Sequence, residues 1–212
     1  MRYVFHAALL LCGSLAQAAQ FDMQFVDVDG RPVAGTVVTL RSTDASRSAS
    51  SPVEAMMDQL DMQFVPHVLV VPRGSAVSFR NSDSVSHQVY SFSPAKRFEL
   101  PLYRGDPRAP QVFDRGGVVT LGCNIHDQMR AYVYVVEGQY YGRTDAQGRW
   151  SQPDVVPGEY TISIWHPRSR TSGPVLEQKL VVGAGAARHA LRATAKLKLR
   201  SESQVPANWD AY

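Results

Sequence analysis

The stretch "GVVTLGCNIHDQMRAYVYVV" (117–136) contains two runs of β-branched and aromatic residues on either side of a short polar loop. Runs of this composition and length are typical of β-strands. Two strands joined by a short loop pair antiparallel, which brings the two ends of the loop together. We therefore predict a hairpin whose loop turns Cys123, His126 and Met129 toward one point.

These three side chains form a candidate metal-binding set. A thiolate, an imidazole and a thioether together suit copper better than magnesium or calcium. A zinc site would normally have a fourth strong ligand in place of methionine. The alternative is that Cys123 is a buried thiol that packs as a small apolar residue.

The N-terminal residues resemble a cleavable export signal. Arg2 precedes a short apolar run, and Ala16-Gln17-Ala18 fits the small-x-small rule for signal peptidase. We expect residues 1–19 to be removed, so that the mature chain starts near Ala19 or Gln20 in the periplasm. The apolar run is too short to span a membrane.

Removal of this signal would leave Cys123 without a partner in the chain. The sequence has only two cysteines, and the other one, Cys12, lies inside the signal. A single cysteine in an oxidising compartment cannot form an intramolecular disulfide. An inert thiol, an intermolecular bridge and a metal-bound thiolate remain as interpretations.

The charge of the chain excludes some partners. The formal net charge is +3, from 22 basic and 19 acidic residues. Because this excess is small and the basic residues are scattered, neither nucleic acid nor a membrane surface is an expected partner.

Strand signals recur along the chain, separated by turn clusters rich in Gly, Pro, Asp and Ser. No segment has a sustained helical period, so we predict an all-β protein built from sandwiches. The predicted strands lie at 36–40, 67–71, 76–80, 87–92, 117–122, 131–136, 159–165 and 179–182.

A trigonal copper site needs a second histidine. His87 is the best candidate, because it follows the polar turn in "FRNSDSVSHQVYSF" and begins a predicted strand. His67 is less suitable, since it lies beside Pro66 and enters a strand from the other end of the hairpin.

Two motifs resemble the cupredoxins, most closely the amicyanin and plastocyanin group of blue copper proteins. They are "FVPHVLVVPRGSAVSFRNSDSVSHQV" (64–89) and "LGCNIHDQM" (121–129), and the latter has the short C-x-x-H-x-x-M spacing of amicyanin. A similar block occurs in exported proteins labelled methylamine-utilisation proteins. The segment 93–117, which is polar and Pro-rich, departs from the family pattern.

The resemblance implies a set of ligands and a function. It assigns one type 1 copper to His87, Cys123 and His126, with Met129 as a weak axial ligand and Asn81 as a residue that steadies the site. It implies a cupredoxin Greek-key β-sandwich that carries electrons and is not an enzyme. Partners would be a c-type cytochrome or a periplasmic dehydrogenase, docking on an apolar patch around His126.

The segments outside this block resemble a second, carboxypeptidase-regulatory or transthyretin-like β-sandwich. The matching pieces are "DVDGRPVAGTVVTL" (27–40) and "GRTDAQGRWSQPDVVPGEYTISIWHP" (142–167). We predict that the copper domain is inserted into this sandwich; the alternative is two domains in series, with 21–41 as edge strands of the first. The predicted division is 1–19 signal, 21–50 and 139–195 outer sandwich, 53–138 copper domain, and 196–212 terminal strand or tail.

Two other functions remain open from the sequence. The copper site could serve delivery, storage or sensing of copper, with the outer sandwich binding a partner or a glycan. The chain could also be a structural β-protein without metal.

Overall fold

The computed structural model describes residues 18–44, 46–47, 50–105, 109–169, 173–183 and 188–195. These residues form strands and turns, which confirms the all-β prediction. Most of the predicted signal and the whole predicted tail lie outside the described residues. Within that part of the chain, no helix has the length and hydropathy of a membrane span.

Sixteen strands are numbered here in chain order. They are β1 (Ala19–Asp27), β2 (Val37–Ser42), β3 (Glu54–Leu60), β4 (Gln63–Val65), β5 (Val68–Pro72), β6 (Ser75–Phe79), β7 (His87–Ser93), β8 (Lys96–Tyr103), β9 (Gln111–Phe113), β10 (Gly117–Gly122), β11 (Arg130–Val136), β12 (Tyr140–Arg143), β13 (Arg149–Val155), β14 (Gly158–Trp165), β15 (Leu176–Val182) and β16 (Arg188–Ala195).

The middle of the chain forms two sheets that share one core. One sheet has the order β4-β3-β6-β9 and the other β5-β11-β10-β7-β8. Side chains from both sheets meet in a single buried cluster, which includes Cys123 and Met129. The Pro-rich segment 93–117 supplies β8, which pairs with β7, and β9, which pairs with β6.

The flanking strands form two further sheets. Their orders are β13-β1-β16 and β12-β2-β14-β15, so β1 and β2 pair with strands that come after the middle block. Here β1 runs parallel to β16 and antiparallel to β13. The inserted domain and the alternative of two domains in series both stay predictions.

Strand β11 is buried on both faces, because it separates two clusters. Ala131, Val133 and Val135 face the core of the middle sandwich. The alternate residues Tyr132 and Tyr134 pack against Trp165 of β14, with ring centroids 5.3 Å apart in both pairs. This aromatic junction, formed by Tyr132, Tyr134 and Trp165, joins the two sandwiches.

His166, directly after Trp165, is buried and held as a neutral imidazole. Its Nε2–H donates to the carbonyl of Ala34 at 3.2 Å, and the N–H of Arg168 donates to its Nδ1 at 3.1 Å. Burial lowers the pKa of His166 to about 4, and the positive charges of Arg168 and Arg143 act in the same direction. A second proton on the ring would oppose the Arg168 N–H.

This histidine should make folding sensitive to acid. An unfolded histidine binds its proton near pH 6.5, so the stabilisation is complete above that pH and is lost as the pH falls toward 4. The unfolding free energy of the copper-free protein should decline between pH 7 and pH 5. In the His166→Gln variant we expect this decline to be smaller by about 2 kcal/mol. Urea titrations at both pH values measure this, and an equal decline in both proteins would contradict it.

Candidate metal centre

Three of the predicted ligands lie in one cluster. The Cys123 Sγ and one ring nitrogen each from His87 and His126 all lie within 4.8 Å of one another. The Nδ1 atoms of His87 and His126 are 3.1 Å apart, and Cys123 Sγ is 4.0 Å from His126 Nδ1. His87 begins β7 and Cys123 follows β10; these strands pair through Tyr90 and Gly122, which brings the two ligands together.

The arrangement of the nitrogens fits a bound cation. His87 Nε2 lies 2.6 Å from Asp83 Oδ2, so its ring proton is assigned to Nε2 and its Nδ1 carries a lone pair. That lone pair faces the Nδ1 of His126. Two imidazole nitrogens and a thiol sulfur around one point form a donor set that suits copper.

Asp83 is a candidate functional residue that the sequence analysis missed. Besides binding His87, its carboxylate accepts hydrogen bonds from the backbone N–H of Asp61 at 2.7 Å and of Met62 at 2.9 Å. Burial alone would raise the pKa of Asp83, but the hydrogen bonds from Met62, His87 and Asp61 lower it below its usual value. The carboxylate thus orients His87 and ties it to the β3–β4 turn. A carboxylate four residues before the histidine was the available signal.

Removing this carboxylate should weaken copper binding. Asp83→Ala leaves His87 Nε2 without its acceptor, and loss of such an orienting partner typically lowers metal affinity by about 10–100-fold. Competition with a chelator of known affinity measures the change. Asp114→Ala is the matched control, since Asp114 is exposed and has no hydrogen bond within the described chain. An affinity within about twofold of wild type would argue against this role.

Asn81 braces the loop that leads to His87. Its side-chain amide donates to the carbonyls of Val85 at 3.0 Å and Tyr103 at 2.7 Å. Its Oδ1 accepts from the N–H of Asp83 at 3.0 Å. These bonds hold the loop to the end of β8, and among the described residues none connects the Asn81 side chain with Cys123.

Met129 lies in the same buried cluster as Cys123, and its N–H donates to the carbonyl of His126 at 2.9 Å. This bond closes the ligand loop into a tight turn before β11. The position is consistent with the predicted axial role, which stays a prediction.

The other candidate histidine, His67, is outside this cluster. Its ring packs edge-on against Tyr132, with centroids 5.4 Å apart. Burial lowers the pKa of His67 to about 4, which favours the neutral ring. The structure therefore brings His87, and not His67, to Cys123 and His126.

The fold and this cluster define a class: an all-β protein with a candidate centre of two histidines and one cysteine. Residues 115–189 match the family model "Polysaccharide lyase family 4, domain II". The matched segment is less than half of the chain. No curated protein matches the chain.

Solved structures of cupredoxins and of a copper-containing enzyme are similar to part of the chain. A purple cupredoxin from Nitrosopumilus maritimus is 26% identical, over 39% of this chain and 99% of its own, with a TM-score of 0.35. A copper-containing nitrite reductase from Thermus scotoductus is 21% identical, over 53% of this chain and 28% of its own, with a TM-score of 0.38. A P52G variant of amicyanin is 21% identical, over 47% of this chain and 98% of its own, with a TM-score of 0.35.

Proposed function

We propose that this protein is an exported type 1 copper protein that carries single electrons between redox partners and is not an enzyme. The observation that supports this most is the cluster of His87 Nδ1, Cys123 Sγ and His126 Nδ1, with two nitrogens only 3.1 Å apart. Copper bound by such donors supplies reversible one-electron chemistry.

The surroundings of the cluster favour a carrier. His87 and Cys123 are almost fully buried, and both lie at the ends of paired strands. A rigid frame of this kind holds the donors in one arrangement for both oxidation states. With Met129 as a weak fourth ligand, the site has no open position of the kind that hydrolytic metal sites keep for water.

An apolar surface beside the cluster suits transient docking. His126 is half-buried, and its neighbour Ile125 is exposed. Val85, two residues before His87, and Met62, whose N–H binds Asp83, are exposed as well. We propose that a c-type cytochrome or a periplasmic dehydrogenase docks here through a small interface that allows rapid release.

Visible and paramagnetic-resonance spectra of the copper-loaded mature protein test this proposal. A carrier should be intensely coloured when oxidised, lose the colour on reduction and regain it on reoxidation. It should also retain its copper through repeated cycles in the presence of a Cu(I) chelator, whereas a delivery protein would release copper on reduction. Colourless oxidised protein would overturn the blue-copper assignment.

A further inference from the structure

An open groove of about 500 Å³ lies on the middle sandwich beside the ligand loop. It is formed by residues of β7, β10 and the loop before β11, and Cys123 and Met129 contribute to its lining. Its volume is in the range of small-molecule sites and leaves room for a compound of one or two rings. The groove shares Cys123 and Met129 with the candidate metal centre, but its other lining residues are not among the predicted ligands.

One wall of the groove is aromatic. Phe92 is 73% exposed, more than any other large apolar side chain that the structure describes. Its ring lies against Tyr90, with centroids 5.2 Å apart. An aromatic face that is supported by a second ring and open to solvent is suited to stack on another planar ring.

Gly122 makes this wall possible. A Cβ added at Gly122 would lie 2.7 Å from Cζ and from the hydroxyl oxygen of Tyr90, so a larger residue would require the end of this side chain to shift. Tyr90 therefore rests directly on the backbone that precedes Cys123. A larger residue at position 122 would displace Tyr90 and with it the support of Phe92.

Another part of the groove lining is polar. Asn124, Asp127 and Arg130 contribute exposed side chains to it, and these three side chains have no hydrogen bond or ion pair among the described residues. They offer amide, carboxylate and guanidinium groups to a ligand, which together can donate to and accept from a hydroxyl group. An aromatic wall and such groups in one groove match a ring that carries hydroxyl substituents.

We propose that this groove binds a small phenolic compound, with its ring stacked on Phe92 and its hydroxyl group bonded to Asn124, Asp127 or Arg130. Neither Ile125 nor His126 lines the groove. Because the groove is built from the protein alone, binding does not require copper. The proposal therefore stands or falls independently of the electron-carrier function.

Titration of isotope-labelled, copper-free mature protein with 2-naphthol, followed by NMR, tests this site. We expect saturable shifts at the amides of Phe92, Gly122 and Asn124. Phe92→Ala should weaken binding about tenfold, because the stacking face is lost. The saturated analogue decahydro-2-naphthol should bind about tenfold more weakly than 2-naphthol for the same reason.

Two matched controls guard against non-specific effects. Val181→Ala removes another exposed apolar side chain, on β15 of the outer sandwich, and should leave the affinity unchanged. Ile125→Ala, on the surface around His126, should also leave it unchanged. The proposal is overturned by an absence of saturable shifts, by shifts centred elsewhere, or by equal affinity in the Phe92→Ala protein with an unchanged circular dichroism spectrum.

Discussion

Replacement of Cys123 by serine is expected to abolish the intense visible band of the copper-loaded protein. The band of a blue copper site comes from charge transfer between a thiolate and copper, and Cys123 is the free cysteine of the described chain. A serine hydroxyl is not ionised at neutral pH and is a much poorer ligand for copper. Copper affinity should fall as well, because one of three strong donors is lost.

Spectra of wild type and Cys123→Ser, loaded with equal copper, measure this effect. Asn124→Ser is the matched control, since it changes the exposed neighbour in the same loop and should retain the band. Serine is close in size to cysteine, so the copper-free variant should keep the fold. Chemical unfolding of the copper-free variant checks this. A band of wild-type intensity in Cys123→Ser would exclude this cysteine as the ligand.

Truncation of Trp165 to alanine should lower the free energy of unfolding more than any other substitution named above. Trp165 is 2% exposed and packs against both Tyr132 and Tyr134 in the aromatic junction. Removal of a buried tryptophan leaves a cavity and typically costs about 3–5 kcal/mol. Because the junction joins the two sandwiches, its loss should also reduce the cooperativity of unfolding.

Chemical denaturation of the copper-free protein, followed by tyrosine fluorescence and far-ultraviolet circular dichroism, measures both effects. We expect one transition in wild type and separated transitions, or a lower midpoint, in Trp165→Ala. Trp165→Phe retains an aromatic ring and should lose less stability. A decrease below about 1 kcal/mol for Trp165→Ala would show that the junction contributes little.

Local sequence patterns predicted the class of the fold and half of its strands. All eight predicted segments are strands, with ends that differ by at most three residues. The strands that were missed include β3 and β8, whose sequences mix polar, Met and Pro residues, and β9, which has only three residues. Such strands are defined by pairing with β6 and β7, and pairing between distant segments leaves no periodic pattern in the sequence.

The convergence of His87, Cys123 and His126 was predictable because two of them share a short loop and the third begins a strand after a polar turn. Their role as ligands stays a prediction. Asp83 was not identified, because its role depends on the amides of Asp61 and Met62, which belong to another hairpin. The sequence of a polar turn does not indicate whether the backbone amides of a distant hairpin bind its carboxylate.

The sequence alone determined the donor types, the loop spacing and the β-rich architecture, because these depend on composition and on near neighbours. Only the tertiary structure decided which carboxylate orients His87 and where Phe92 and Tyr90 form a groove. These features arise from contacts between segments far apart in the chain. Their energies depend on burial and on hydrogen-bond geometry, which exist only after the sheets have packed.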